Sequence, residues 1–287
     1  MKKILLNKWW CSLLGVIALL AGNASNVQAG QRGLFVGRYY YRADNPTESQ
    51  QRARDSKMNT LFLFTMEVES NGSLVFNTKD TRFPLVTNGV YVGDPSWPAF
   101  LAGCKGGSVT RIEMCIGQWN SASFNNIRNL INSQGTGSSS ILYRNFLALK
   151  NKLPISAIQM DDENTYDRTS MVSFCKMLKD SLGLWVSFCP YTNQTFWANV
   201  KRDLPDRVSG VWLQCYDGGA NNDPRQWRTA LANSVLIYPG CILWDGPTKI
   251  EQKMRTWVSQ GFRGGFVLGD VVLPDPRWGQ ALINAGL

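Results

Sequence analysis

Two carboxylates spaced two residues apart, Asp161 and Glu163, are the groups in this sequence best placed to do chemistry. They close the stretch Ile155-Ser156-Ala157-Ile158-Gln159-Met160-Asp161-Asp162-Glu163. Read as a β-strand, it puts Ile158 and Met160 on one face and Gln159, Asp161 and Glu163 on the other. At a rise of ~3.4 Å per residue, the two carboxylates stand about 7 Å apart along the strand. At that range one ionised carboxylate raises the pKa of the other, which suits a general acid working near neutral pH. Asp161, Asp162 and Glu163 are also a conceivable oxygen set for Mg²⁺ or Ca²⁺. Adjacent strand residues point to opposite faces, however, so Asp162 converges with its neighbours only if the strand has already ended. No metal or other cofactor is expected.

Much other chemistry is excluded. The sequence contains no histidine, which removes histidine-based triads, the usual zinc sites and imidazole general bases. Catalysis must come from carboxylates, tyrosines, cysteines or lysines.

Eight apolar, strand-like runs alternate with polar or helix-patterned segments: Leu34–Tyr41, Thr60–Val68, Val109–Ile116, Ile155–Asp161, Leu184–Tyr191, Gly210–Tyr216, Val235–Leu243 and Gly264–Leu268. Between the fourth and fifth, Met171, Phe174, Cys175, Leu178 and Leu182 fall at helical spacing and Gly183 closes the helix. Ile250, Met254, Trp257 and Val258 repeat the pattern before Gly261. Strands alternating with helices imply parallel crossovers, and eight such units predict a single (β/α)8 TIM barrel. The Ser/Gly-rich residues Ser133 to Ser140 read as a loop of that barrel, not a domain linker.

Chemistry in such a barrel gathers at the carboxyl ends of the strands. Glu163 lies at one, and Trp119, Asn193, Asp217, Asp245 and Asp270 each lie just past an apolar run. Aromatic faces stack on sugar rings and carboxylates bond hydroxyls, so this mixture points to an oligosaccharide or polysaccharide.

The first residues combine Met1-Lys2-Lys3 and Lys8, an apolar run from Trp9 to Ala21, and Val27-Gln28-Ala29 before Gly30. This is the pattern of a signal peptide cut after Ala29, which predicts a secreted or periplasmic protein of 258 residues with no membrane segment after cleavage. The net charge then falls from +9 to +6 as Lys2, Lys3 and Lys8 leave. The remaining basic residues are scattered, which argues against nucleic acid. A monomer is expected. Six cysteines remain, Cys104, Cys115, Cys175, Cys189, Cys215 and Cys241. An even number in an exported chain permits disulfides, whereas Cys115, Cys189 and Cys215 lie in apolar runs that suit buried thiols.

Several of these runs together resemble the family 18 glycoside hydrolases, the chitinases and endo-β-N-acetylglucosaminidases. Val36-Gly37-Arg38-Tyr39-Tyr40 is similar to the family's first strand, and Thr60–Val68 followed by Asn71-Gly72-Ser73-Leu74 to its second. Cys115-Ile116-Gly117-Gln118-Trp119-Asn120 resembles its S-x-G-G-W segment. Ser156 to Glu163 falls where it carries D-G-x-D-x-D-x-E, and Gln214-Cys215-Tyr216-Asp217 resembles its sixth-strand M/Q-x-Y-D/N. The motifs occur in the family's order across nearly the whole chain after Ala29.

The resemblance implies roles. Glu163 would be the general acid that protonates the glycosidic oxygen. Asp161 would orient the substrate's N-acetyl group, whose carbonyl oxygen attacks the anomeric carbon. Tyr216, with Asp217 beside it, would hold that group and the oxazolinium it becomes. This is the substrate-assisted route with retention, outside the two-carboxylate scheme. Gln159, Gln214, Trp119, Tyr191, Asn193 and Trp244 are the candidate substrate-binding residues.

Departures from the pattern leave a catalytically weak or inactive glycan-binding barrel, a chitinase-like lectin, as the alternative. Ser156 and Gln159 stand where the family has aspartates, Cys115 replaces a serine and Gln118 a glycine. Gln159 is expected to donate to Asp161 without sharing a proton, leaving Asp161 with a lower pKa than usual. Gly269 stands near the place of an eighth-strand tryptophan that floors the sugar subsite, and Trp244 or Trp212 is a candidate to fill it. Arg38 and Glu113 are a candidate buried ion pair, and Glu67 a candidate to line the cleft.

Overall fold

The computed structural model describes residues 30–78, 81–269 and 272–287; the predicted signal peptide and Asp270 lie outside these. Among the described residues, eight parallel strands close on themselves: β1 (Gln31–Val36), β2 (Thr60–Val68), β6 (Arg111–Ile116), β7 (Ala157–Met160), β8 (Trp185–Phe188), β9 (Val208–Gln214), β10 (Ile237–Ile242) and β11 (Gly264–Leu268). Closure is made by β1, which pairs with β2 from Gly33 opposite Thr60 and with β11 from Gln31 opposite Gly264. Each strand overlaps one of the eight apolar runs, with β1 and β9 beginning three and two residues before theirs, so the fold is the (β/α)8 TIM barrel expected.

An insertion the periodicity did not single out follows β2. An antiparallel ribbon of β3 (Leu74–Thr78), β4 (Thr81–Thr87) and β5 (Val90–Tyr91) extends the sheet, and α2 (Trp97–Cys104) leads back to the barrel. The crossovers elsewhere are α1 (Pro46–Asp55), α3 (Ser123–Gln134), α4 (Ile141–Lys152), α5 (Arg168–Lys176), α6 (Gln194–Asp203), α7 (Pro224–Ala230), α8 (Gly246–Ser259) and α9 (Pro276–Asn284). The Ser/Gly-rich residues join α3 to α4, a barrel loop as read from the sequence.

Period two divides the strand residues between two cores. One set, including Leu34, Leu61, Ile112, Ile158, Val186, Leu213 and Val267, packs outward against the helices. The other fills the lumen: Phe35, Phe62, Cys115, Cys189, Trp212, Tyr216, Tyr238 and Phe266 form one buried cluster. Glycine makes the crowding possible, since a Cβ on Gly33 would stand 2.6 Å from the Phe62 ring and 2.9 Å from that of Trp212.

Polar residues in the lumen lie mainly on β6, β7 and β8. Glu113 is fully buried, accepts a hydrogen bond from the Ser187 hydroxyl at 2.5 Å, and meets the Arg111 guanidinium at 2.6 Å. Glu113 therefore pairs with Arg111 of its own strand; the side chain of the other candidate partner, Arg38, lies outside what is described. The six cysteines among the described residues are all buried free thiols, so the fold uses them as small apolar groups.

Candidate active site

The site lies at the carboxyl end of β7 and is built on the turn that follows it. The strand ends at Met160. The next carboxylate off the outer face, Asp162, is buried and accepts three backbone N–H bonds, from Asn164 at 3.1 Å, Thr165 at 2.8 Å and Tyr166 at 2.8 Å. Asp162 thus folds the loop over itself. It is turned away from Asp161 and Glu163, and no group of three or more acidic or cysteine side chains able to hold a metal occurs among the described residues.

The loop curls Glu163 back over the lumen. Asp161 and Glu163 converge on one donor, closer together than the 7 Å an extended strand would hold them. The side-chain nitrogen of Gln214, at the end of β9, donates to Asp161 Oδ1 at 3.0 Å, to Glu163 Oε1 at 3.1 Å and to the Cys189 carbonyl at 3.1 Å. Asp161 is buried, while Glu163 keeps part of its surface open at the mouth. Gly117, at φ +91°, ends β6 against the Asp161 carbonyl, where any side chain would collide with it.

Burial, then the charge of Glu163, holds Asp161 well above the usual carboxylate range. Burial raises Glu163 as well, against the hydrogen bond from Gln214. The expectation of a lowered pKa for Asp161 is therefore reversed. Desolvation and a neighbouring carboxyl both penalise its ionised form, and Gln159 does not supply the relief assigned to it. Gln159 is fully buried beneath Asp161 on the same face, and neither its amide nitrogen nor its amide oxygen has a hydrogen-bond partner. The donor to Asp161 is Gln214.

Tyr216 is buried in the lumen cluster, edge-on to Phe266 at 5.9 Å. Burial holds its hydroxyl far above the ordinary phenol range, and among the neighbouring charges Asp161 and Glu163 push the same way. Gln214 thus joins Asp161 to Glu163 at the end of the lumen, with Tyr216 within the field of both carboxyls. Asp217 does not join them: it opens a short 3-10 turn with φ +45° and its side chain is exposed.

The other sequence candidates divide. Tyr191 is half-buried beside the Tyr166 hydroxyl, which lies in the field of Glu163. Asn193 is exposed and caps α6, accepting from Phe196 N at 3.4 Å. Trp119 and Trp244 stand on the rim, 69% and 72% exposed. Trp212 is core, packed between Phe62 and Tyr238. Neither Trp244 nor Trp212 floors the mouth. That floor is aliphatic and aromatic: Phe64, Ile242 and Leu268, all half-buried, close over the lumen cluster. Gly269 faces the other way, where a Cβ would meet the Trp278 ring at 2.9 Å and Leu34 at 3.2 Å. Glu67, half-buried at the end of β2, is held by Asn77 at 2.9 Å, Arg82 at 2.6 Å and Gln118 at 3.3 Å.

Two contributors escaped sequence reasoning. Tyr166 had no signal beyond being an aromatic three residues past Glu163. Asn222 donates to the carbonyls of Tyr191 and Gln214, both at 2.8 Å, and so ties the loop after β9 to the site; an asparagine in a polar loop carries no mark of that.

The arrangement offers one acid–carboxylate pair on a single amide donor, a buried phenol and an apolar floor, open above to rim tryptophans. No family model matches the chain and no curated protein matches it in sequence. Comparison with solved structures finds the same barrel in the spore cortex-lytic enzyme SleL of Bacillus megaterium QM B1551, with a TM-score of 0.60 at 13% identity over 91% of this chain and 75% of that one. A mutant of the GH18 chitinase of Cycas revoluta, in complex with (GlcNAc)4, matches at 0.62 and 12% identity over 89% and 99% of the two chains. The tamarind chitinase-like lectin matches at 0.51 and 12% over 90% and 98%. At these identities the likeness is one of fold: the chain shares its barrel with GH18 chitinases and with a chitinase-like lectin.

Proposed function

We propose that the protein is a glycoside hydrolase that cleaves β-linked N-acetylglucosamine bonds with retention, the substrate's own N-acetyl group serving as nucleophile. The observation that carries this reading is the bridge from Gln214 to both Asp161 and Glu163 beside the buried Tyr216 hydroxyl. Glu163, the partly open member of the pair, gives its proton to the glycosidic oxygen as the bond to the anomeric carbon breaks. The acetamido carbonyl oxygen forms the new bond to that carbon, and the resulting oxazolinium sits against the Asp161 carboxylate. Water then attacks the anomeric carbon, the Glu163 carboxylate takes its proton, and the acetamido group is restored. In this reading Tyr216 bonds the acetamido group, and Trp119 and Trp244 offer faces for sugars beyond the cleaved bond. Export is part of the same proposal, supported by the charged start, apolar run and small residues before Gly30.

A second reading, a glycan-binding barrel without turnover, is favoured by the unpartnered Gln159 and by the lack of an aromatic floor at Gly269. Assay of (GlcNAc)4 and of high-mannose glycopeptides separates the two. Hydrolysis by the wild type, reduced about 10²- to 10⁴-fold in Glu163→Gln with ligand binding retained, supports the enzyme. Equal rates for the variant and the wild type would remove Glu163 as the acid, and binding without turnover by the wild type would leave the lectin.

A further inference from the structure

β2 runs on past the barrel. Its register with β6 ends at Met66 opposite Ile116, and on its other edge Met66 to Val68 pair with β3, Glu67 standing opposite Val75. Met66 and Val68 belong to the outer core, so period two turns Glu67 to the opposite face, on the side of the mouth. An acidic residue at a strand end is ordinarily solvated. This one has only 14% of its side chain exposed, and both oxygens are engaged. Oε1 accepts from Asn77 at 2.9 Å and from Gln118 at 3.3 Å, and Oε2 from Arg82 at 2.6 Å. Asn77 and Arg82 face each other across β3 and β4. The inserted ribbon thus supplies two of the three donors, and the turn after β6 supplies the third.

That turn carries Trp119. Gly117 and Asn120 have φ of +91° and +63°, Ser121 N donates to the Gln118 carbonyl at 3.1 Å, and the Thr65 hydroxyl of β2 donates to the Gly117 carbonyl at 2.7 Å. The side chain of Asn164, next to Glu163, touches the same turn. Trp119 at its tip stays 69% exposed, so an open indole sits on a fastened backbone. We infer that Glu67 is a positioning residue for glycan binding: bonded to Gln118 on one side and to Asn77 and Arg82 on the other, it holds the Trp119 turn in place and makes the ribbon part of the cleft wall. This rests on the reading of Trp119 as a sugar platform. A platform held before the ligand arrives loses less freedom on binding, so Glu67 contributes to affinity whether the barrel cleaves glycans or only binds them. Arg82 is 53% exposed, so its ion pair with Glu67 adds little to overall stability, and the effect of the network is local to the turn.

The test is a double-mutant cycle of Glu67→Ala and Trp119→Ala, made in Glu163→Gln so that nothing is cleaved, with the Kd for (GlcNAc)4 read by calorimetry. Backbone hydrogen exchange of the same proteins is followed without ligand by mass spectrometry. Glu67→Ala is expected to weaken binding about 3- to 10-fold when Trp119 is present, the cost of ordering one side chain, and less than about twofold when Trp119 is absent. It should also speed exchange at residues 117–121 while leaving β7, β8 and β9 unaltered. Gln118→Leu cuts the same link from the other end and should reproduce both effects, and it takes the place of Glu67→Ala should that variant not fold. An equal loss of affinity with and without Trp119, no loss with Trp119 present, or exchange that rises across the whole barrel overturns the inference and leaves the glycan reading intact. If the protein binds no (GlcNAc)4 at all, the glycan reading fails, and exchange alone decides whether Glu67 holds the turn: faster exchange at residues 117–121 upholds that placement and unaltered exchange overturns it.

Discussion

Gln214 donates to Asp161 at 3.0 Å from a strand two places round the barrel, and the same nitrogen reaches Glu163 at 3.1 Å. One amide thereby sets the separation of the two carboxyls and stabilises whichever carries the negative charge. Replacing Gln214 by Leu removes a hydrogen bond to a charged group, worth about 1.5–3 kcal/mol. The expected result is a fall in kcat on (GlcNAc)4 of about 10- to 100-fold with a smaller change in KM, read from steady-state kinetics.

Asp161 and Glu163 both have folded-state pKa values raised by burial. Free carboxyls of these types titrate near pH 4, so above that pH these two groups bind more protons in the folded protein than in the unfolded chain. Their contribution to stability is therefore fully present below about pH 4 and is lost as pH climbs through the folded-state values. Asp161→Asn removes one of the two groups. It should flatten the decline and raise Tm at pH 8, measured by thermal unfolding across pH, while lowering hydrolysis about 10²-fold or more. An unchanged Tm profile would show that the carboxyl is not desolvated.

The rim and the floor of the mouth predict opposite behaviour. Trp119 and Trp244 are exposed, so replacing either by Ala should alter stability by no more than about 0.5 kcal/mol and weaken (GlcNAc)4 binding, as calorimetry would detect.

Leu268 and Gly269 are neighbours on opposite faces. Leu268 lines the mouth, so Leu268→Trp adds an aromatic platform and should tighten (GlcNAc)4 binding several-fold, for a stacking gain of about 1 kcal/mol. Gly269 faces Trp278 and Leu34, so Gly269→Ala should instead destabilise the fold by about 1–3 kcal/mol through overpacking.

The six free cysteines are all buried, and burial pushes the Cys104 and Cys215 thiols up to about 12. The native protein should release no colour with a thiol–disulfide reagent at pH 8, whereas the denatured chain should react. Rapid reaction of the folded protein would place a thiol at the surface.

Residue order alone determined the barrel and much of its site. The alternation of apolar runs and helical spacings carries through because strand and helix periods are local properties of the chain, read over a few residues at a time. Asp161 and Glu163 were legible for the same reason, standing at the end of an apolar run, and in a parallel barrel every run ends on one side; Gln214 and Tyr216 were legible only through the resemblance of Gln214-Cys215-Tyr216-Asp217 to a family motif. Tertiary structure decided how those side chains meet. That Gln214 rather than Gln159 bonds Asp161, that Asp162 folds the loop and Asp217 leaves the site, and that Leu268 rather than a tryptophan floors it, all depend on packing between strands far apart in sequence. The raised pKa of Asp161 belongs to the same class, because desolvation is a property of the closed lumen and of no single stretch of chain.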